Sequence, residues 1–429
     1  MILKNGRVIT QDKDRPYIED GAVVIEGNKI IAVDTTENIL AKYKEEDIID
    51  VDGKVIMPGF INTHHHIYSA FARGMASSGK PNENFLEILE NLWWKIDKKL
   101  SLEDLKYSAY TTYIDCIKKG VTTVFDHNAS PFAVTGSLDS IADAAKDLGL
   151  RTCLCYEVSD RDGEKIAQEG IDENINFIKK YNTDEQNMIK GMFGLHASFT
   201  LSDETLRKCD EELKGLNAGY HVHVAEGIDD LEQCLEKYGK RVVERLRDMD
   251  ILGDKTIAVH CIHVTDDELN ILRDTNTMVV HNPESNMGNA VGCQPFLELH
   301  QKGITIGLGS LVAFIFLVTG GQDDAMNVLL ILMTVDYLSG VIKAFITCTA
   351  NSKAGIIGIL KKVMIILVIV LAYQLDILFD GKLAIKTLAV GVFISNEGLS
   401  ILENASICGI PIPEKIKKVL TQYQEYKKK

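Results

Sequence analysis

Up to about residue 310, short β-branched runs alternate with helix-length segments in which apolar residues recur three and four positions apart. This is the pattern of repeated βα units around a parallel sheet. The runs that predict strands are Val55–Ile61, Val121–Phe125, Arg151–Tyr156, Ile189–Leu195, Tyr220–Val224, Thr256–Val259, Thr277–Val280 and Ile304–Leu308. Amphipathic stretches such as Asn84–Lys99, Leu102–Lys118 and Ser137–Lys146 separate them. Eight strands are the number that closes a (β/α)8 barrel of TIM type. Residues 1–54 read differently, as short strands (Ala22–Glu26, Lys29–Val33) joined by a Gly-Asn turn. They predict a small, partial β-sandwich subdomain ahead of a barrel over 55–310.

Beyond residue 310 the pattern changes. Gly303–Gln322 has no charged residue, Ala325–Ile342 is interrupted by Asp336, Val363–Phe379 by Asp376, and Leu383–Leu402 carries Lys386 and Glu397. Runs of roughly 17–20 apolar residues suit a bilayer core. Residues 311–429 therefore predict an all-α transmembrane segment of three or four helices. With spans at 305–322, 325–342, 363–379 and 383–402, Lys343, Lys353, Lys361, Lys362 and the Lys-rich tail fall on the side of the N-terminal part. Asp323, Asp324, Asp376, Asp380 and Lys382 fall on the other. The positive-inside rule then puts the barrel in the cytoplasm and the helices in the inner membrane. The eighth barrel helix, expected after Leu308, is missing in soluble form.

Composition narrows the function. Among 429 residues, 61 acidic against 46 basic side chains give a net charge of −15, the wrong sign for a nucleic-acid partner. Nine cysteines without a CxxC predict neither a disulfide framework nor a zinc ribbon, as in a reducing compartment. The opening Met1-Ile-Leu-Lys-Asn-Gly-Arg has no apolar run of signal-peptide length.

The histidines carry the chemistry. In Asn62-Thr-His64-His65-His66, alternation along a strand turns His64 and His66 to one side and His65 to the other. They lie at the carboxyl end of the first barrel strand, where barrel sites are built. Paired neutral imidazoles chelate a divalent metal. Other strand ends also carry histidine: His127, His196, His221 with His223, His260 and His281. His223, three residues before Glu226, reads as a third ligand beside a proton-shuttling carboxylate. His260 and His196 read as groups that face substrate or a developing oxyanion, and His281 as substrate-binding. His65 and His221 read as supports, and His127, His263 and His300 as structural.

Further motifs are Pro58-Gly-Phe-Ile-Asn-Thr-His-His-His, Tyr68-Ser, Phe71-Ala-Arg-Gly, Asn91-Leu-Trp-Trp-Lys-Ile-Asp, Phe125-Asp-His-Asn-Ala-Ser-Pro, Ser159-Asp-Arg-Asp-Gly, Gly194-Leu-His-Ala-Ser-Phe-Thr and Val280-His-Asn-Pro-Glu-Ser-Asn-Met. Together they resemble the amidohydrolase superfamily, in its mononuclear aminohydrolase branch, and within that the SsnA type. The resemblance implies one divalent metal, zinc by default with iron the alternative, on His64, His66 and His223. It also implies that Glu226 moves the proton and His260 polarises the scissile centre. The reaction implied is hydrolysis of a C–N bond, or of a C–Cl bond, in a small cyclic amidine or nucleobase-like molecule. In the family, strand eight ends Gly-Leu-Gly-Thr/Ser-Asp, and that aspartate ligates the metal and takes the proton of the attacking water. Here the run is Gly307-Leu-Gly-Ser310-Leu311. Leucine does neither, so impaired turnover is expected.

The last segment, with Asp336-Tyr-Leu-Ser-Gly-Val, Asn396-Glu-Gly-Leu-Ser-Ile-Leu-Glu-Asn404 and Gly409-Ile-Pro-Ile-Pro-Glu-Lys, resembles the toxin-secretion and phage-lysis holin family. That implies contact with membrane lipid and homo-oligomers that open lesions, with an inert enzyme remnant ahead of them as the alternative reading of the chain. Asp336, Asn396 and Glu397 are expected to make polar contacts between helices, and Ser339 and Gly340 to allow close approach.

Overall fold

The computed structural model describes residues 1–44, 47–73, 75, 82–183 and 187–309, then parts of helices between 329 and 375 and residues 385–408. The chain divides into two compact units, Met1–Leu311 and Val312–Lys429.

The first unit opens with a five-stranded sheet of β1 (Ile2–Ile9), β2 (Tyr17–Glu26), β3 (Lys29–Thr35), β4 (Ile48–Asp50) and β5 (Val55–Ile56). β2 and β3 form a hairpin with Glu26 opposite Lys29, and β1 runs antiparallel to β2 and parallel to β4 and β5. Ile2, Ala22, Val24 and Ile39 form its core. One expectation is corrected here. Val55 and Ile56 pair with Arg7 and Val8 of this sheet, so the run predicted as the first barrel strand is two strands. Pro58 and Gly59 separate them, because proline has no N–H to extend a ladder.

The first barrel strand is β6 (Phe60–His65), followed in parallel by β7 (Val121–Asn128), β8 (Arg151–Tyr156) and β9 (Ile189–Gly191). A second parallel set holds β10 (Phe193–Ala197), β11 (Tyr220–Val224), β12 (Ile257–His260), β13 (Met278–His281) and β14 (Ile306–Leu308). The fourth predicted strand is split at Met192. Its first half pairs with β8 and its second with β11, while a bridge between Val158 and Leu195 holds the two sets together. At the other flank β14 lies against β6. A Cβ at Gly307 would sit 2.6 Å from Thr63 Oγ1, so only glycine lets the eighth strand come this close. The result is a TIM-like α/β ring.

Amphipathic helices cover the ring, among them Leu102–Lys118, whose Ser101 and Asp104 form a capping box, and Glu164–Tyr181. Their apolar faces and the outward strand positions form two cores, one around Leu105, Leu138 and Leu154, the other around Phe193, Leu206 and Val243. Inside the ring Cys153, Cys155, Met192, Ile257, Val259 and Val280 fill the floor. This leaves the carboxyl ends of the strands to carry polar side chains.

In the second unit, Leu329, Met333, Ile369 and Val390 pack together, and the helix Ile385–Ile407 is the long described element. Among the described residues no helix is long and apolar enough to cross a membrane. Much of the four expected spans lies outside the described residues. The expected span 305–322 is corrected at its start, because Ile306–Leu308 pairs with β13 and belongs to the ring. Lys362, expected in a loop, instead lies 2.5 Å from Asp336 and also pairs with Glu397. Asn404 donates to Asp336 and, at 2.9 Å, to Ser339. At Gly340 a Cβ would be 3.7 Å from Asn404, ordinary contact among the described residues.

Candidate metal and proton-transfer site

His64 is on β6 and His66 directly follows it, and from the far side of the ring β11 brings His221 and His223. The His64 and His66 ring centroids are 4.7 Å apart, and both lie near His223, at 5.0 and 5.2 Å. His64 Nδ1 meets His221 Nε2 at 2.8 Å. His66 Nδ1 lies 2.8 Å from the carbonyl of His127, and His223 Nδ1 lies 2.9 Å from that of His196. A carbonyl only accepts, so both Nδ1 atoms carry the hydrogen. Burial and the neighbouring imidazoles push the His66 ring down to about 3 and His223 well below its ordinary value, so both rings are neutral near pH 7.

Their Nε2 atoms, both bare lone pairs, then face each other at 3.2 Å. Two lone pairs at that distance repel unless a cation lies between or beside them. The donors therefore fit a divalent metal ion: neutral imidazole is a preferred ligand, and each ring's other nitrogen is tied to a carbonyl, as metal-binding histidines usually are. One ligand atom each from His64, His223 and His260 lies within 4.8 Å of the others, as do those of His66, His127 and His223 and of Glu157, His196 and His223. His223 is common to all three trios.

Beside this cluster Glu226 Oε2 lies 3.2 Å from His260 Nε2. The opposite nitrogen, His260 Nδ1, lies 2.7 Å from Asn286 Oδ1, and Asn289 donates to Glu226 Oε1 at 3.1 Å. His260 Nδ1 donates to the amide oxygen, so Nε2 and the carboxylate share one proton site. The backbone is unusual here: His260 has φ 72° and Cys261 φ 47°, left-handed values rare outside glycine. The Gln294 amide holds the turn by donating to the carbonyls of His260 and Val280.

His196 Nδ1 donates at 2.7 Å to Thr200 Oγ1, whose own hydrogen goes to the Ala197 carbonyl. This leaves Nε2 of His196 as an acceptor. Its ring lies 6.1 Å from that of Trp94, and Trp94, Arg161, Phe199 and Thr200 line a cavity of about 340 Å3. His281 stands apart: its ring packs on Phe296, and its carbonyl accepts the Gly309 N–H at 3.0 Å. Ser310 and Leu311, where the missing carboxylate belongs, lie outside the described residues.

Sequence reasoning passes over Glu157, Asn289 and Gln294, and includes Asn286 in a motif without giving it a role. Glu157 was within reach of the same rule that singled out the histidines, since it directly follows β8. The amide side chains follow β13, where nothing in the sequence shows which of them the fold turns towards His260 and Glu226.

Residues 55–346 match the model of the Amidohydrolase family, and residues 313–425 match that of the Bacteriophage holin family. A 5'-deoxyadenosine deaminase from Methanosarcina mazei is 32% identical over 310 residues, 72% of this chain and 68% of that protein. A 5-methylthioadenosine/S-adenosylhomocysteine deaminase from Desulfitobacterium hafniense is 31% identical over 309 residues, 72% of this chain and 69% of its own length. Among solved structures, an adenosine deaminase from Xanthomonas campestris with bound zinc superposes with a TM-score of 0.65 at 21% identity, covering 72% of this chain and 68% of that one. An atrazine chlorohydrolase from Arthrobacter aurescens complexed with zinc gives 0.64 at 20% identity, over 74% and 75%. These two likenesses bear on the fold. The extent of the first family match and the identity to the deaminases make this chain a member of the amidohydrolase family.

Proposed function

We propose that the first unit is a hydrolytic deaminase built around one divalent ion, zinc by default, held by His64, His66 and His223. The observation that carries this is the pair of bare Nε2 atoms on His66 and His223, 3.2 Å apart beside the proton-sharing pair Glu226 and His260. When bound, the ion supplies Lewis acidity that brings a water near neutrality in pKa. Glu226 passes a proton to the departing amine, and His260, fixed by Asn286, donates to or accepts from the oxygen that develops on the attacked carbon. His196 Nε2 accepts from a ring N–H of the substrate, whose remainder occupies the cavity beneath Trp94. An adenine nucleoside with an apolar 5' group is the substrate class favoured by the named relatives, ahead of the SsnA-type reading. Leu311, in place of the family's aspartate, slows the reaction.

Ammonia release from 5'-deoxyadenosine and 5-methylthioadenosine by the zinc-loaded full chain is the test. Slow release that Glu226→Gln abolishes is expected. Equal release by the two proteins overturns the reading.

A second activity is proposed for residues 311–429: a holin-like membrane segment that oligomerises in the inner membrane, with the first unit on the cytoplasmic side. The match over 313–425 and the lysine distribution support it. The join falls in a Gly-Ser that both families use, as recombination of two genes would leave it. Induction of residues 311–429 in a bacterial host is expected to permeabilise the inner membrane; recovery of that segment wholly in the soluble fraction overturns the proposal.

A further inference from the structure

Two backbone carbonyls decide which nitrogen of His66 and His223 faces the ion, and they come from different strands. The carbonyl that receives His66 Nδ1 belongs to His127 on β7, and the one that receives His223 Nδ1 belongs to His196 on β10. The side chains of these same two residues turn towards one carboxylate. Glu157 Oε2 lies 3.2 Å from His127 Nδ1, and Glu157 Oε1 lies 3.9 Å from His196 Nε2. Glu157 directly follows β8, the strand between β7 and the fourth strand, and its own N–H bonds the Asn128 carbonyl at 2.8 Å.

The surroundings fix this carboxylate. It is buried, and the Arg161 guanidinium lies 3.8 Å from Oε1 while also pairing with buried Asp97 and resting over the Trp94 ring. At the far side of the His127 ring, Nε2 lies between the carbonyls of Leu195 and His221, at 3.2 and 3.1 Å. The His127 ring thus meets oxygen at both ends, and its position ties β7 to β10 and β11. His196 is held by Thr200 at Nδ1, while Glu157 Oε1 lies 3.9 Å from its Nε2 without a hydrogen bond. A carboxylate in this place costs desolvation. Fixing a ligand pair whose ends come from strands on separate sheets gives that cost a use.

We propose that Glu157 is a positioning residue for the metal ligands: through the His127 ring it fixes the carbonyl that orients His66, and so sets the Nε2 of His66 against that of His223. This rests on reading His66 and His223 as ligands. Glu157 touches neither the ion nor the substrate in this scheme.

The test compares the full chain with Glu157→Gln and His223→Ala. Zinc affinity is measured by competition with a fluorescent chelator, and the metal-free proteins are melted in parallel. Partners that orient metal-binding histidines typically change affinity by about 10–100-fold. Glu157→Gln is expected to weaken zinc binding by that factor and leave the metal-free midpoint close to the parent's. Should Glu157→Gln not fold, Glu157→Asp, which keeps the charge but falls one methylene short, is expected to weaken zinc binding in the same direction. Parental zinc affinity in the Glu157 variants, with binding lost in His223→Ala, overturns the positioning role and leaves the ligand assignment standing. Absence of zinc binding by the parent, or full binding by His223→Ala, overturns the ligand assignment and this inference with it.

Discussion

Glu226 Oε2 and His260 Nε2 are 3.2 Å apart, and each is fixed from behind by an amide side chain, Asn289 for the carboxylate and Asn286 for the imidazole. Neither group can turn away without breaking a hydrogen bond, buried in the case of His260. The pair is therefore set to exchange a single proton, which general acid–base catalysis requires. Glu226→Gln keeps the shape and removes the proton carrier. It is expected to lower turnover by about 10²–10⁴-fold with zinc content unchanged, measured by ammonia release beside metal analysis. Loss of zinc in this variant would make Glu226 a ligand instead.

Leu311→Asp is expected to act in the opposite direction. The run Gly307-Leu-Gly-Ser310 stops one residue before the carboxylate that the family resemblance calls for. Under the proposed function, supplying it would add a fourth protein ligand and a base for the attacking water. Turnover is expected to rise by about 10²–10⁴-fold and zinc to be held more tightly. Unchanged rates on the substrates that the parent turns over would show that more than one side chain is missing.

Asp230 provides a pH signature away from the metal ligands. Its carboxyl accepts the N–H groups of Ala225 and Phe199, at 2.9 and 3.0 Å, tying the ends of β11 and β10 together. Burial pushes it up to about 7 although those bonds pull it down. A carboxyl raised above its unfolded value of 3.8 adds stability that is complete below pH 4 and is lost as pH rises through 7. Asp230→Asn removes that titration. Between pH 5 and pH 8 the variant is expected to lose less stability than the parent, read from urea unfolding of the metal-free protein at both values.

Much of this architecture is legible in the sequence because it follows from period and position. Alternating β-branched runs mark the ring, and the strand-end rule selects His64, His66, His223 and His260 before any coordinates. Two kinds of feature escape. Val55 and Ile56 read as a strand but give no sign of their partner, since pairing is set by the path of the chain after Asp50. Asn286, on the short helix Pro283–Gly288, and Gln294, in the loop beyond it, are ordinary amides in sequence and gain their importance only where the fold aims them at His260. The histidine assigned a structural place, His127, lies in the cluster through its carbonyl, which meets His66 Nδ1, and through its ring, which faces Glu157.

Closure of the ring rests on one missing side chain. At Gly307 a Cβ would meet Oγ1, Cβ and Cγ2 of Thr63 at 2.6–2.9 Å, and Thr63 is β-branched and cannot step aside. Gly307→Ala is expected to cost about 1–3 kcal/mol. Hydrogen exchange should locate the loss in β14 and β6, with β11 and β12 unaffected. A uniform loss across all strands would mean that the contact is not local.

Lys362 is expected to contribute to the stability of the second unit beside its apolar core of Leu329, Met333, Ile369 and Val390. Its ammonium meets both Asp336 and Glu397, and Glu397 is only 5% exposed. Removing the cation from this part-buried network leaves both carboxylates uncompensated, a loss below the about 3–5 kcal/mol of a fully buried pair. Lys362→Met should therefore expose the helix Ile385–Ile407 to rapid hydrogen exchange in detergent. Adding Asp336→Asn and Glu397→Gln to Lys362→Met removes the stranded charges and should restore most of the protection. If the triple variant exchanges as fast as Lys362→Met alone, the ammonium acts through its packing and not through its charge.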